Sequence, residues 1–109
     1  MQTSTNFGTA ICDTTLCGTD GGTAAPFADD NWVWFGGIAA AETATLGQNV
    51  PIPSGGPATL SFQLRIGKVI TPFTDTLTVT IDGTNIATFT EPSVAESGYT
   101  LLSFDVSAF

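Results

Sequence analysis

Residues 57 to 83, PATLSFQLRIGKVITPFTDTLTVTIDG, carry the two clearest strand patterns of the chain. Apolar residues occupy alternate positions from Leu60 to Ile66 and again from Leu77 to Ile81, with polar residues between them. Because successive side chains of a strand point to opposite faces, this alternation predicts two half-buried strands. Asp82 and Gly83 form the dipeptide that is typical of a two-residue hairpin turn. The stretch therefore predicts antiparallel β-structure.

Weaker strand patterns flank this stretch on both sides. We expect strands at residues 31–35 (NWVWF), imperfectly at 43–52, and then at 85–90 and 99–106. Turn-forming residues separate them, most clearly PSGGP at 53–57 and EPSVAESG at 91–98. Six to eight short strands with short connections predict an all-β, antiparallel two-layer β-sandwich with a jelly-roll-like arrangement.

The length and composition indicate one secreted domain. A chain of 109 residues suits a single core, so residues 1–109 are interpreted as one domain, with residues 1–30 as a loop-rich lead-in anchored by Phe7 and Ile11. The chain has 12 Gly and 6 Pro but only 11% charged residues, which favours an extracellular β-protein. The start of the chain lacks the basic and apolar segments of a leader peptide, so a secreted origin implies that the leader was removed or lies outside this sequence.

The charge of the chain argues against two classes of partner. The chain has ten acidic residues and only two basic ones, Arg65 and Lys68, which gives a net charge of −8. Such a chain is repelled by nucleic-acid backbones and by anionic lipid surfaces. No apolar run reaches the 18 or so residues that a membrane-spanning helix needs. We therefore expect neither nucleic acid nor a membrane span among its interactions.

The only two cysteines, Cys12 and Cys17, are separated by four residues in a Gly- and Thr-rich segment. An even cysteine count in a short, secreted-type chain predicts a local disulfide. Metal binding is the alternative, but two thiols in a chain with no histidine provide too few ligands for a zinc site.

The order of motifs resembles a known module. The segments NWVWFGG, NVPIPSGGPATLSFQLRIG, DTLTVTIDGTNIATF and YTLLSFDVSAF together resemble a jelly-roll module of large secreted bacterial proteins, similar in layout to MAM-like and carbohydrate-binding-module-like sandwiches. The resemblance spans Cys12 to Phe109 and implies a non-catalytic attachment or spacer unit. In such modules one more core strand follows the DVSAF segment. Either the sequence is truncated after Phe109, or an open sheet position favours strand donation between identical subunits.

The residue types of this chain do not favour catalysis. The chain has no histidine and a single lysine, Lys68, so nucleophilic triads and Schiff-base chemistry lack their partners. A two-carboxylate glycosidase is the one formal route, yet no pair of acids stands out. The sequence therefore predicts a protein that is not an enzyme.

Calcium is the metal that the residue types suit best, because hard carboxylate and carbonyl oxygens are its preferred ligands. The resemblance implies a structural calcium near the loops that hold Asp29, Asp30 and Asp75. The alternative is that Asp29 and Asp30 end a loop and that Asp75 caps a turn.

Carbohydrate binding is the other candidate function. Aromatic rings stack on the apolar face of a sugar, and planar polar side chains bind its hydroxyls. The residues of the right types are Trp32, Trp34, Gln63, Arg65 and Tyr99. The alternative is that the tryptophans belong to the core and that Gln63 and Arg65 lie on a solvated face. The sequence thus predicts an extracellular module that binds carbohydrate or another surface polymer; the alternative is a filament or surface-layer subunit assembled by β-strand complementation.

Overall fold

The computed structural model describes residues 1–5, 8–17, 25–36 and 38–109. These residues form eight short strands and a single-turn helix. In chain order they are β1 (Gln2–Ser4), β2 (Ile11–Asp13), α1 (Thr14–Cys17), β3 (Asn31–Val33), β4 (Ala44–Leu46), β5 (Thr59–Leu64), β6 (Thr76–Ile81), β7 (Thr84–Thr90) and β8 (Thr100–Asp105).

The strands pair into four antiparallel sheets of two strands each. These sheets are β1–β4, β2–β3, β5–β8 and β6–β7. The expected antiparallel β-structure is therefore confirmed for the described residues. The two strands with the clearest sequence patterns, β5 and β6, do not pair with each other, since β5 pairs with the distant β8 and β6 with the adjacent β7.

The predicted turn between β6 and β7 is confirmed. Ile81 pairs with Thr84, which leaves Asp82 and Gly83 as the two turn residues. Their φ angles are 47° and 76°, and two positive φ angles are what a type I′ hairpin turn requires. Further along, the pairing shifts at Thr80, so that β7 contains an extra residue and the hairpin carries a bulge.

The two longer sheets contact each other through three phenylalanine rings. Phe62 of β5 stacks on Phe104 of β8 with 5.9 Å between ring centroids. Phe89 of β7 approaches both rings edge-on, with centroids 6.5 Å away in each case. Such edge and stacked geometries are the favourable ones for aromatic pairs. The face of β5–β8 that carries Phe62 and Phe104 is called the inner face below.

Little of the described chain is fully buried. Ala10, Cys12, Trp32 and Val106 are the buried apolar residues, and the inner-face residues are only half-buried. The alternating strands are therefore formed, but their apolar faces are incompletely covered.

The lead-in is held by local contacts that the sequence did not reveal. The side-chain oxygen of Gln2 accepts hydrogen bonds from the backbone N–H groups of Ala10 and Ile11, at 2.9 and 3.1 Å. Ile11 itself is 39% exposed, so its prediction as an anchor is wrong, and its buried neighbours Ala10 and Cys12 take that role because they lie on the opposite face of β2. Phe7, the other predicted anchor, lies outside the described residues.

The predicted disulfide is confirmed. Cys12 and Cys17 are bonded, with 5.6 Å between their Cα atoms, and the bridge links β2 to the end of α1. The Asp13 carboxylate caps α1 by accepting hydrogen bonds from the N–H groups of Thr15 and Leu16 at 2.9 and 2.7 Å. In the described part of the chain no helix has the length and apolar character to cross a bilayer.

Candidate functional site

The pairing of β5 with β8 brings together three of the five residues predicted to bind carbohydrate. Gln63 lies opposite Leu101, and Leu64 lies opposite Thr100. Arg65 and Tyr99 are the next residues at the same end of the sheet. Since side chains alternate between faces, Gln63 and Leu101 share the face opposite to the phenylalanine rings. The same alternation, continued by one residue beyond each strand, assigns Arg65 and Tyr99 to this face. This face is polar and aromatic, and Leu101 is 61% exposed on it.

A fifth residue, Phe27, joins this group from the lead-in. Its ring meets the ring of Tyr99 edge-on with 5.5 Å between centroids, and it is 59% exposed. The Tyr99 hydroxyl donates a hydrogen bond to the carbonyl oxygen of Ala25 at 2.7 Å, which ties the lead-in to the start of β8. We call the surface formed by Phe27, Gln63, Arg65, Tyr99 and Leu101 the outer patch.

Arg65 is held in place by the loop before β8. Its Nε donates a hydrogen bond to the carbonyl oxygen of Glu96 at 3.3 Å. Glu96 in turn makes two hydrogen bonds with the backbone of Ile66. Its carboxylate accepts one from the Ile66 N–H at 2.6 Å, and its own N–H donates one to the Ile66 carbonyl oxygen at 2.9 Å. Among the described residues this hydrogen bond anchors the guanidinium group through Nε, and the group carries four further N–H donors.

The outer patch combines aromatic area with hydrogen-bonding groups. Phe27 and Tyr99 provide aromatic area, Gln63 provides both a donor and an acceptor, and Arg65 provides a fork of donors. The surface combines apolar contact with a few placed polar groups, which is the usual composition of a small-molecule or saccharide site.

Sequence reasoning missed Phe27 and Leu101. Phe27 follows Pro26 in a segment without strand periodicity, so nothing in its surroundings indicated a contact with residue 99. Leu101 breaks the alternation of its strand, since it is apolar on the face where Ser103 and Asp105 are polar. That break in the pattern is the signal that could have identified it.

The two tryptophans lie on a different sheet. Trp32 pairs with Cys12 in β2–β3 and is only 9% exposed, so its ring does not present a stacking face to solvent. Its Nε1 is buried and finds no hydrogen-bond partner among the residues that the structure describes. Trp34 follows β3, is half-buried, and donates its backbone N–H to the Ala10 carbonyl at 2.8 Å. The structure therefore does not place Trp32 and Trp34 with Gln63, Arg65 and Tyr99.

The predicted calcium ligands do not form a cluster. Asp29 and Asp30 are exposed in the loop before β3, and Asp29 has a positive φ of 55°. Asp75 directly precedes β6, and its backbone N–H donates a hydrogen bond to the Glu91 carboxylate at 3.2 Å. Within the described ranges, no group of three or more His, Cys, Asp or Glu residues is placed to hold a metal ion. Calcium binding by Asp29, Asp30 and Asp75 therefore stays a prediction.

One carboxyl group at the far end of β8 has an altered acidity. The Ser107 hydroxyl donates to Asp105 at 2.6 Å and the Ser107 N–H donates to the same oxygen at 2.9 Å. These two hydrogen bonds, the side-chain one first, lower the pKa of Asp105 below its ordinary value of 3.8. The Ser107 hydroxyl also accepts from the N–H of Ala58 at 2.8 Å, so this small network closes the end of β5–β8 opposite to the outer patch.

Comparison with known proteins adds no assignment. The chain matches no protein-family model, and neither the curated proteins nor the solved structures gave a significant match.

Proposed function

We propose that this protein is a non-catalytic extracellular module that binds carbohydrate or another hydroxyl-rich surface polymer through the outer patch. The observation that carries the proposal is the register of β5 with β8, which gathers Gln63, Arg65 and Tyr99 on one face beside two exposed apolar side chains. The disulfide fits the oxidising environment of a secreted protein.

The proposed architecture is the two-layer, jelly-roll-like sandwich expected from the sequence. Its support is the contact of β5–β8 with β6–β7 through Phe62, Phe89 and Phe104. In this arrangement the phenylalanine rings fill the space between the layers and the outer patch lies on an external face. Binding then needs no movement of the core.

A glycan array and polysaccharide co-sedimentation test the proposed function. We expect Phe27→Ala and Gln63→Ala to weaken binding by roughly tenfold or more, because truncating a central contact of an interface commonly costs that much. Gln48→Ala is the matched control, since Gln48 is exposed in the connection between β4 and β5, outside the patch. Absence of binding by the unmodified protein to every glycan and polysaccharide tested would refute the proposal.

Strand complementation into a filament or surface layer is the second candidate. The observation that favours it is that every sheet in the described part of the chain has only two strands, so each strand keeps one unpaired edge. An unpaired edge can accept a strand from an identical subunit. Light scattering that finds only a single-chain mass would exclude obligate assembly of this kind.

A further inference from the structure

The loop between β7 and β8 holds the connection between β5 and β6 through two half-buried glutamates, Glu91 and Glu96. The Glu91 carboxylate accepts hydrogen bonds from the backbone N–H groups of Ile70 and Asp75, at 3.0 and 3.2 Å. The Glu96 carboxylate accepts one from the N–H of Ile66, and the Glu96 N–H donates one back to the Ile66 carbonyl oxygen. Glu96 therefore holds the start of the connection, and Glu91 holds its end.

Of these two glutamates, Glu96 is the one that also contacts the outer patch. Its backbone carbonyl oxygen accepts the hydrogen bond from Arg65 Nε at 3.3 Å, which is at the long end of the usual range for N–H···O bonds. Glu96 borders an apolar depression of the inner face together with Ile66 and Leu102, so it lies outside the outer patch. A long hydrogen bond is sensitive to the position of its acceptor, and the two bonds to Ile66 fix that position.

Gly67 limits the position of the half-buried Arg65 from a second direction. A Cβ at residue 67 would lie 3.2 Å from Arg65 Nε and 3.7 Å from Arg65 Cζ, so a side chain there would push the guanidinium group aside. The guanidinium group thus occupies space that only glycine leaves free. An arginine that is ordered before binding loses less conformational entropy when a ligand binds.

We propose that Glu96 is a positioning residue of the outer patch, which acts on the ligand through Arg65 and does not touch the ligand itself. Its carboxylate fixes the loop on Ile66, and the fixed loop presents its carbonyl oxygen to Arg65. The inference rests on the proposed function for what Arg65 binds. The position of Arg65 itself can be measured without any ligand.

Nuclear magnetic resonance of the free protein tests the first step. Arg65 is the only arginine of the chain, so its Nε–Hε group gives a side-chain signal that needs no further assignment. In Glu96→Ala we expect the order parameter of this group to fall and its hydrogen exchange to become faster. Glu96→Gln keeps an oxygen that can accept from the Ile66 N–H, so we expect it to retain the original signal.

Glu91→Ala is the matched control. It makes the same change of charge and side chain on the same loop, but it removes the hydrogen bonds to Ile70 and Asp75. We expect it to leave the Arg65 signal unchanged. An Arg65 signal that is unaltered in Glu96→Ala overturns the proposal, and so does an equal change in Glu91→Ala, because the effect would then be a general loosening of the loop.

Binding to the glycan array tests the second step. We expect Glu96→Ala to weaken binding about two- to tenfold, because immobilising one long side chain on binding commonly costs that much, and we expect Glu96→Gln to bind like the unmodified protein. Gly67→Ala provides an independent measurement, since it displaces the guanidinium group but removes neither hydrogen bond between Glu96 and Ile66. We expect it to weaken binding as well, and it decides the question if Glu96→Ala does not fold.

The outcomes separate this inference from the proposed function. Unchanged glycan affinity in a Glu96→Ala protein whose Arg65 signal has changed overturns the positioning role, although carbohydrate binding itself stands. Absence of glycan binding by the unmodified protein refutes the proposed function and with it the second step, whereas the resonance measurement still decides whether Glu96 holds Arg65.

Discussion

Replacement of Phe89 by leucine tests whether the two longer sheets really stabilise each other. Phe89 is the only member of the described ring trio that comes from β6–β7, and it meets Phe62 and Phe104 edge-on at 6.5 Å. This distance is near the outer limit for such pairs, so each contact contributes about 0.5 kcal/mol, the low end of the usual range. Loss of apolar ring area adds up to about 1 kcal/mol. We therefore expect Phe89→Leu to lower the free energy of unfolding by about 1 to 2 kcal/mol.

Urea unfolding measures this effect, and a double-mutant cycle isolates the contact itself. The single variants Phe62→Leu and Phe89→Leu and the double variant should show a coupling of about 0.5 kcal/mol, because the ring pair can be lost only once. Phe109→Leu is the control, since this 40% exposed residue should change stability by less than about 0.5 kcal/mol. Purely additive effects of Phe62→Leu and Phe89→Leu would refute the proposed packing of the two sheets.

Three further outcomes follow from the local geometry. Gly83→Ala should lower the free energy of unfolding by about 1 kcal/mol, because a φ of 76° strains any residue with a side chain. No other atom lies within 4 Å of where the added Cβ would be, so a clash is not the reason. Gly56 has the same open space without a positive φ, and an equal loss in Gly56→Ala would contradict the explanation by strain. Ser107→Ala should raise the pKa of Asp105 towards 3.8 in a carbon-detected NMR titration. Since the folded-state pKa is lowered, the stabilisation by Asp105 is present above pH 3.8 and is lost as the pH falls through the folded value. The backbone N–H of residue 107 stays in Ser107→Ala, so an unmoved titration would exclude the hydroxyl hydrogen bond as the main cause. If calcium binds, it should raise the melting temperature and Asp75→Ala should reduce that rise; identical melting curves with calcium and with chelator would exclude the site.

The strands that the sequence predicted most clearly are those long enough to show their period. The three-residue strands β3 and β4 also lie within segments predicted as strands, at 31–35 and 43–52. β5, β6, β7 and β8 each have six or seven residues, so alternation is visible in the sequence, and Asp82-Gly83 specifies the turn between β6 and β7. β1 and β2 have three residues each, which is too few to establish a period of two. β1 depends on pairing with β4, whose paired residues are 40 to 44 positions away, and no local pattern encodes such a contact.

The relative placement of two of the five outer-patch residues was also predictable. Gln63 and Arg65 share a face because they are two residues apart on a strand, and this follows from the sequence alone. Tyr99 lies beside them because β5 pairs with β8 and not with β6. This pairing joins residues that are far apart in the sequence, so no local pattern predicts it. The residue types of Trp32 and Trp34 suit sugar stacking, but residue type does not determine burial, and the pairing of Trp32 with Cys12 places it inside.

The acidic composition protects the unpaired edges of the two-strand sheets from pairing with other chains. Natural proteins shield free strand edges with lysine or proline, yet the eight described strands contain neither, and only β7 carries a bulge. Mutual repulsion between chains of charge −8 is then the main barrier to edge-to-edge aggregation. The isoelectric point is near 4.1, so mild acidification removes that barrier while the edges stay exposed. The solubility of this protein therefore depends on the ionisation of its carboxyl groups, and we expect it to precipitate when the pH falls towards its isoelectric point.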